Sequence, residues 1–447
     1  MRSRLGTSRI LLLLAVLSLL VSACLGQGDG GGGGGGDAGG GGGGVEIFGA
    51  FTAGEGDLFA ESVDAFAEES GVDVTYNGST DFNTLITTRV EGGDIPDIAL
   101  FPQPGLLLDV AQSAEAPPID EYLDVAALEE SLIPGFLDAT TAEDGSVYGF
   151  PMRMAVKSVL WYPVPEFEEA GYAIPETDTE LDALEEQIKA DGGTPWCMSI
   201  EAGEGTGWVG TDWIEEYMLR LHGPEVYDQW VTHELPFDSP EVRAAFEKYA
   251  EIFEDEANVV GGTQGVLSID ALNSSPLPLF EDEPGCFMHR QGNFIAGFFP
   301  DEVQEDLDAN VGAAYFPPVE GGYDGNPVLA GGDLALLLND TPEAREVMEW
   351  LATPESLSAW AEAGGWLSPH RTFDTSLYPT EVERQLGEIG AQADVLRFDA
   401  SDLMPGAVGT GTFWRGIVDW IGGQRSLDEV LTSIDESFPA SGDSSSE

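Results

Sequence analysis

Three tryptophans stand where a core helix has little use for them. Trp208 closes the run Gly205-Thr206-Gly207-Trp208, Trp366 closes Gly364-Gly365-Trp366, and Trp414 follows Gly411-Thr412-Phe413. An indole held on a glycine-rich loop can stack on the apolar face of a ligand or join a cage around a quaternary ammonium group. The competing use is packing between loop and domain. Trp350 and Trp420, by contrast, recur at helical spacing with aliphatic residues and read as core. Catalytic chemistry leaves a fainter mark. A pair of carboxylates could flank a glycosidic bond, but 81 Asp and Glu make such a pair impossible to single out. Outside a glycine tract the chain holds no G-x-S-x-G, H-E-x-x-H or Walker A run. His222, His233, His289 and His370 are dispersed and no C-x-x-C occurs, so no zinc site is expected.

Composition narrows the partners. The formal charge is −64, with Lys157, Lys189 and Lys248 the only lysines. A chain so acidic is repelled by nucleic acid and by anionic surfaces. A solvated, salt-adapted surface accounts for the excess; a merely acidic exported protein is the plainer alternative. Hydrophobic residues make up 42% of the chain, enough for a globular body. About 400 residues follow the glycine tract, which is room for two domains.

The N-terminal residues read as an export signal. Arg2, Arg4 and Arg9 precede an apolar run, Ile10 to Val21, that is too short to span a bilayer. Ser22-Ala23-Cys24 follows, and the arrangement resembles a bacterial lipoprotein signal in which Cys24 carries lipid. An ordinary cleaved signal with an incidental cysteine is the alternative. Residues 24–44 are glycine-rich, with little side chain to bury, and are expected to act as a flexible tether. With Cys24 lipidated, Cys197 and Cys286 remain as a pair. Export favours a disulfide between them over two buried thiols.

The elements that must hold these residues alternate. Val45–Phe51 reads as a strand, Asp57–Ser70 as an amphipathic helix, Val72–Tyr76 as a second strand, Asn83–Glu91 as a helix stopped by Gly92-Gly93, and Ile98–Phe101 as a buried strand. Such alternation implies parallel α/β units. Further helices are expected at 178–190, 211–222, 240–254, 341–352, 355–363 and 415–435, and the polar tail 438–447 is expected to be disordered.

In this order the segments resemble a known family. Gly93-Asp94-Ile95-Pro96-Asp97-Ile98 is similar to the G-x-x-P-D-hydrophobic segment of extracellular solute-binding proteins of sugar ABC transporters. Tyr148-Gly149-Phe150-Pro151 with Val159-Leu160-Trp161-Tyr162 resembles their first interlobe crossing. Phe280 through Asn293 resembles the approach to the second, and Gly331-Gly332-Asp333-Leu334-Ala335-Leu336 the strand near the third. Thr412-Phe413-Trp414-Arg415 resembles the start of their C-terminal helix. The resemblance spans 45–437 and is nearest to alpha-glucoside-binding lipoproteins, whose paired-cysteine pattern is similar. One departure is Pro163 after Trp161-Tyr162, which removes a backbone donor where the family more often has asparagine.

The resemblance implies an α/β, two-lobed, type II periplasmic-binding-protein-like fold with two or three crossing strands. Lobe 1 would comprise 45–152 and 287–338, and lobe 2 would comprise 153–286 and 339–437. It implies a lipid-anchored monomer, without cofactor or metal, that captures an oligosaccharide of the maltose or trehalose type and delivers it to an ABC permease. A secreted glycoside hydrolase, or a binder of a polyol, osmolyte or peptide, are the alternatives. A sugar needs polar groups for its hydroxyl rim and flat aromatics for its faces. By position, the resemblance assigns Glu55, Gln103, Arg153, Glu201, Asp212, Asn293 and Asp333 to the rim. Trp208, Trp366 and Trp414 are assigned to the faces. Arg153 stands out because cations are so few.

Overall fold

The computed structural model describes residues 44–142 and 144–439. The export signal, Cys24, the tether up to residue 43 and the tail from residue 440 lie outside the described residues. No described helix is long and apolar enough to cross a membrane.

Among the described residues nine strands form two sheets. They are β1 (Val45–Gly49), β2 (Val74–Gly78), β3 (Ile98–Phe101), β4 (Gly149–Val156), β5 (Val159–Pro163), β6 (His289–Arg290), β7 (Val311–Tyr315), β8 (Pro327–Leu337) and β9 (Val395–Phe398). The larger sheet runs β2-β1-β3-β8-β4, with β9 also paired to β8. β1, β2 and β3 are parallel, as their intervening helices Ala53–Ser70 and Phe82–Gly92 require. β8 is antiparallel to both β3 and β4, so the sheet is mixed. The smaller sheet runs β6-β5-β7.

Two large hydrophobic cores divide the described residues. β1–β4 and the helices around them bury Ile47, Phe59, Leu100 and Phe150 in the first. The helices Trp208–Val231, Pro240–Phe253 and Leu427–Asp435 bury Trp213, Phe246 and Leu431 in the second. β5 serves both: Val159 and Trp161 face the first core and Leu160 the second, as the two-residue period of a strand dictates. The chain passes between cores again over 288–295, around 313–329 and at 398–400.

The lobe boundaries expected from the sequence need correction. The stretch 339–398 belongs with the first core, not the second lobe. Helix Pro342–Leu351 buries Val347, Met348 and Leu351 there, and β9 aligns on β8 from Pro327 opposite Val395 to Ala330 opposite Phe398. Strand pairing over a long sequence gap overrides chain continuity. The expected helix 415–435 is two helices, Trp414–Ile421 and Leu427–Asp435, the second opened by a Ser426/Glu429 capping box. Trp350 stacks on Phe66, and Trp420 packs on Phe246 and Phe253, as their spacing anticipates. Cys197 and Cys286 are joined as a disulfide, with Cα atoms 5.5 Å apart.

Candidate functional site

A cavity of about 570 Å³ opens between elements of the two cores. Its first-core wall is organised by Arg153. The two-residue alternation of β4 keeps Phe150, Met152, Met154 and Val156 in the core and turns Arg153 to the cavity, and a bulge between Pro151 and Arg153 shifts the register against β8. The guanidinium donates to Glu55 Oε1 at 2.6 Å and lies 3.8 Å from Asp333 Oδ2. It also sits over the rings of Phe51 and Trp360, at 5.3 and 5.2 Å. Burial and the nearby Glu55 charge push the Asp333 carboxyl up to about 6, against the pull of Arg153.

Four residues further along, β4 runs into Lys157, which organises the second-core wall. Its ammonium donates to Asp212 Oδ1 at 3.0 Å and to Asp399. Asp212 and Glu215 lie on one face of the helix Trp208–Val231, and Glu215 Oε1 accepts from the Ser401 amide at 2.9 Å. The carboxylates of Asp212, Glu215 and Asp399 lie within 4.8 Å of one another, and Asp402 joins them at the cavity. Burial is the first reason the Asp212 carboxyl rises to about 7, with Asp399 adding to it and Lys157 opposing it. Burial likewise raises Glu215 and Asp402 well above the usual range.

Aromatic surfaces face the cavity from both sides. Trp208 opens its helix beside the Lys157 ammonium, which is 5.0 Å from the ring, and Phe294 lies 6.1 Å away. Trp414 follows a π-helical segment, Ala407–Phe413, and lines the same space. Gly207 makes this closeness possible. Its φ is 118°, and a Cβ there would meet the Trp414 carbonyl oxygen at 2.5 Å.

Seven of the ten expected ligand residues therefore line one cavity: Glu55, Gln103, Arg153, Trp208, Asp212, Asp333 and Trp414. Three do not. Trp366 is 1% exposed and packs on Phe373 in the first core, where the surrounding residues take the ring inward. Asn293 is buried, and its Oδ1 accepts from the Val156 amide at 2.8 Å, fastening the end of β4. Glu201 caps its own turn by accepting from Gly203 N at 3.0 Å, and Glu204 lines the cavity instead. Sequence reasoning missed Lys157, which the scarcity of cations marks as clearly as Arg153. It also missed Asp81, Asn83, Phe294, Asp399 and Asp402, of which the acids carry no signal among 81.

Comparison with known proteins agrees with this architecture. The family model for bacterial extracellular solute-binding proteins matches residues 52–357. The chain is 43% identical over 395 residues to the osmoprotective compounds-binding protein GgtB of Synechocystis sp., covering 88% of this chain and 92% of the relative. It is 39% identical over 392 residues to the alpha-glucosides-binding periplasmic protein AglE of Rhizobium meliloti, covering 86% and 84%. Among solved structures, a chitin oligosaccharide binding protein superposes with a TM-score of 0.72 at 18% identity, over 88% of this chain and 98% of that one. The bacterial solute receptor AcbH gives 0.72 at 18% identity, over 89% and 98%. At that identity the structures speak for the two-lobed fold alone. The curated relatives and the matched family model carry the assignment further: this chain belongs to the bacterial extracellular solute-binding protein family.

Proposed function

We propose that the protein captures an α-glucoside of disaccharide size between its lobes and delivers it unchanged to an ABC permease. The observation that carries this reading is the cavity itself. It combines indole surfaces from Trp208 and Trp414 with carboxylates and two buried cations, which matches the faces and rim of a sugar. Its volume of about 570 Å³ lies within the usual range for small-molecule sites. GgtB and AglE, with which most of the chain aligns, are named for osmoprotective compounds and for alpha-glucosides. In this reading Glu55, Gln103, Arg153, Asp212 and Asp333 hold hydroxyls, joined by Lys157, Asp399 and Asp402. Cys24 carries the lipid that keeps a monomer near its permease.

Thermal shift followed by calorimetry tests it, with trehalose, maltose, sucrose and glucosylglycerol as ligands and glycine betaine as control. At least one glucoside is expected to bind with a stoichiometry of one and to be recovered intact. Stabilisation by betaine alone, or release of glucose over many turnovers, would overturn the reading. Intact mass of membrane-extracted protein checks for a diacylated Cys24.

A further inference from the structure

The charges around the cavity are not balanced. Glu55, Asp81 and Asp333 line it from the first lobe and Glu204, Asp212, Asp399 and Asp402 from the second, against Arg153 and Lys157. Both cations already have carboxylate partners, and of their donors only Arg153 Nε is buried without one among the described residues. Arg153 lies between Glu55 and Asp333, and Lys157 lies between Asp212 and Asp399. The carboxylates are not used up in return. Asp212 is 1% exposed and Asp399 2%, yet Asp212 Oδ2 and Asp399 Oδ1 have no hydrogen-bond partner among the described residues. These buried acceptors require donors from whatever enters. A hydroxyl or an ammonium can donate; a carboxylate or phosphate cannot, and it would stand among like charges where water screens poorly.

We propose that the cavity is a charge filter: it admits neutral and amino-substituted glycosides and rejects their anionic counterparts, with the Asp212/Asp399 wall as the discriminating element. This rests on the sugar-binding reading, but it concerns a property of the wall that can be measured without knowing the natural ligand.

Two measurements at pH 8 and constant, high ionic strength decide it. High salt removes the field of the acidic surface and leaves the local one. The first is calorimetry with whichever of trehalose, maltose or sucrose binds, beside its 6-uronate and its 6-amino-6-deoxy analogue. The uronate is nearly isosteric with the parent. It is expected to bind at least 100-fold more weakly, while the amino analogue binds at least as tightly as the parent. Asp212→Asn, which keeps the side chain's volume and an oxygen for Lys157 to donate to, is expected to narrow the uronate gap about tenfold. A uronate within threefold of its parent would overturn the filter. The second measurement is fluorescence quenching of Trp208 and Trp414, isolated by difference from Trp208→Phe and Trp414→Phe. Caesium ion and neutral acrylamide are expected to quench this component and iodide to leave it nearly unquenched. Iodide quenching equal to that by caesium refutes the proposal, whichever sugar binds.

Discussion

Replacing Lys157 by Met puts the electrostatics of the cavity wall to a quantitative test. The side chain is 7% exposed, and its ammonium is shared between Asp212 and Asp399 beside Glu215. Methionine keeps most of the volume and removes the charge. The three carboxylates are then buried without a cation, and breaking a buried pair this way costs about 3–5 kcal/mol. For a chain of this length, unfolding entropies per residue convert that to a fall of about 4–6 °C in Tm. The pH dependence identifies the cause. In the native protein burial raises the Asp212 carboxyl from 3.8 to about 7. The folded state therefore binds more protons than the unfolded state between those values. That destabilisation is absent below pH 3.8, grows as pH rises, and is complete above the folded pKa. Lysine opposes it at every pH below its own titration, so its removal raises the carboxyls further and steepens the loss. The difference between variant and parent should be larger at pH 8.5 than at pH 5, where the Asp212 carboxyl is protonated and needs only a hydrogen bond. Differential scanning fluorimetry at both pH values, in one salt concentration, measures it. Equal losses at pH 5 and pH 8.5 would show that Lys157 acts by packing, and no loss at pH 8.5 would refute the reasoning outright.

Three further outcomes follow from the same geometry. Trp414→Ala should weaken glucoside binding by well over tenfold, since a buried stacking ring is worth about 2–4 kcal/mol, while the apo Tm changes little; calorimetry beside a melting curve separates the two. Serine at both Cys197 and Cys286 removes a bond closing a separation of 89 residues, so stability should fall by about 2–5 kcal/mol, and peptide mapping of unreduced protein should recover the linked pair. The Tm should rise steeply with added sodium chloride, because 81 acids face 17 Lys and Arg and their repulsion is screened; a flat response would remove the salt-adapted reading of the surface.

What could be read from the amino-acid order was whatever depends on near neighbours. The alternation of short apolar runs with helical periods defined β1, β2 and β3 and the helices between them, because pleat and helix periods are local properties. The rarity of cations singled out Arg153, and the glycines around Trp208 and Trp414 marked rings that do not read as one face of a core helix. The ordered motifs placed the chain in its family. Tertiary structure decided the rest. Residues 339–398 join the first lobe because β9 pairs with β8, an energy earned across 68 residues of sequence that no local period records. Trp366 carries the same glycine signature as its two counterparts and yet lies in the core, since only the surrounding packing decides which way a loop turns a ring. The carboxylate wall shows the limit most clearly. Asp212 and Asp399 are two acids among 81 until the fold carries them to one lysine and withholds water, and it is that desolvation, absent from any unfolded chain, that sets them apart from the rest of an abundant residue type.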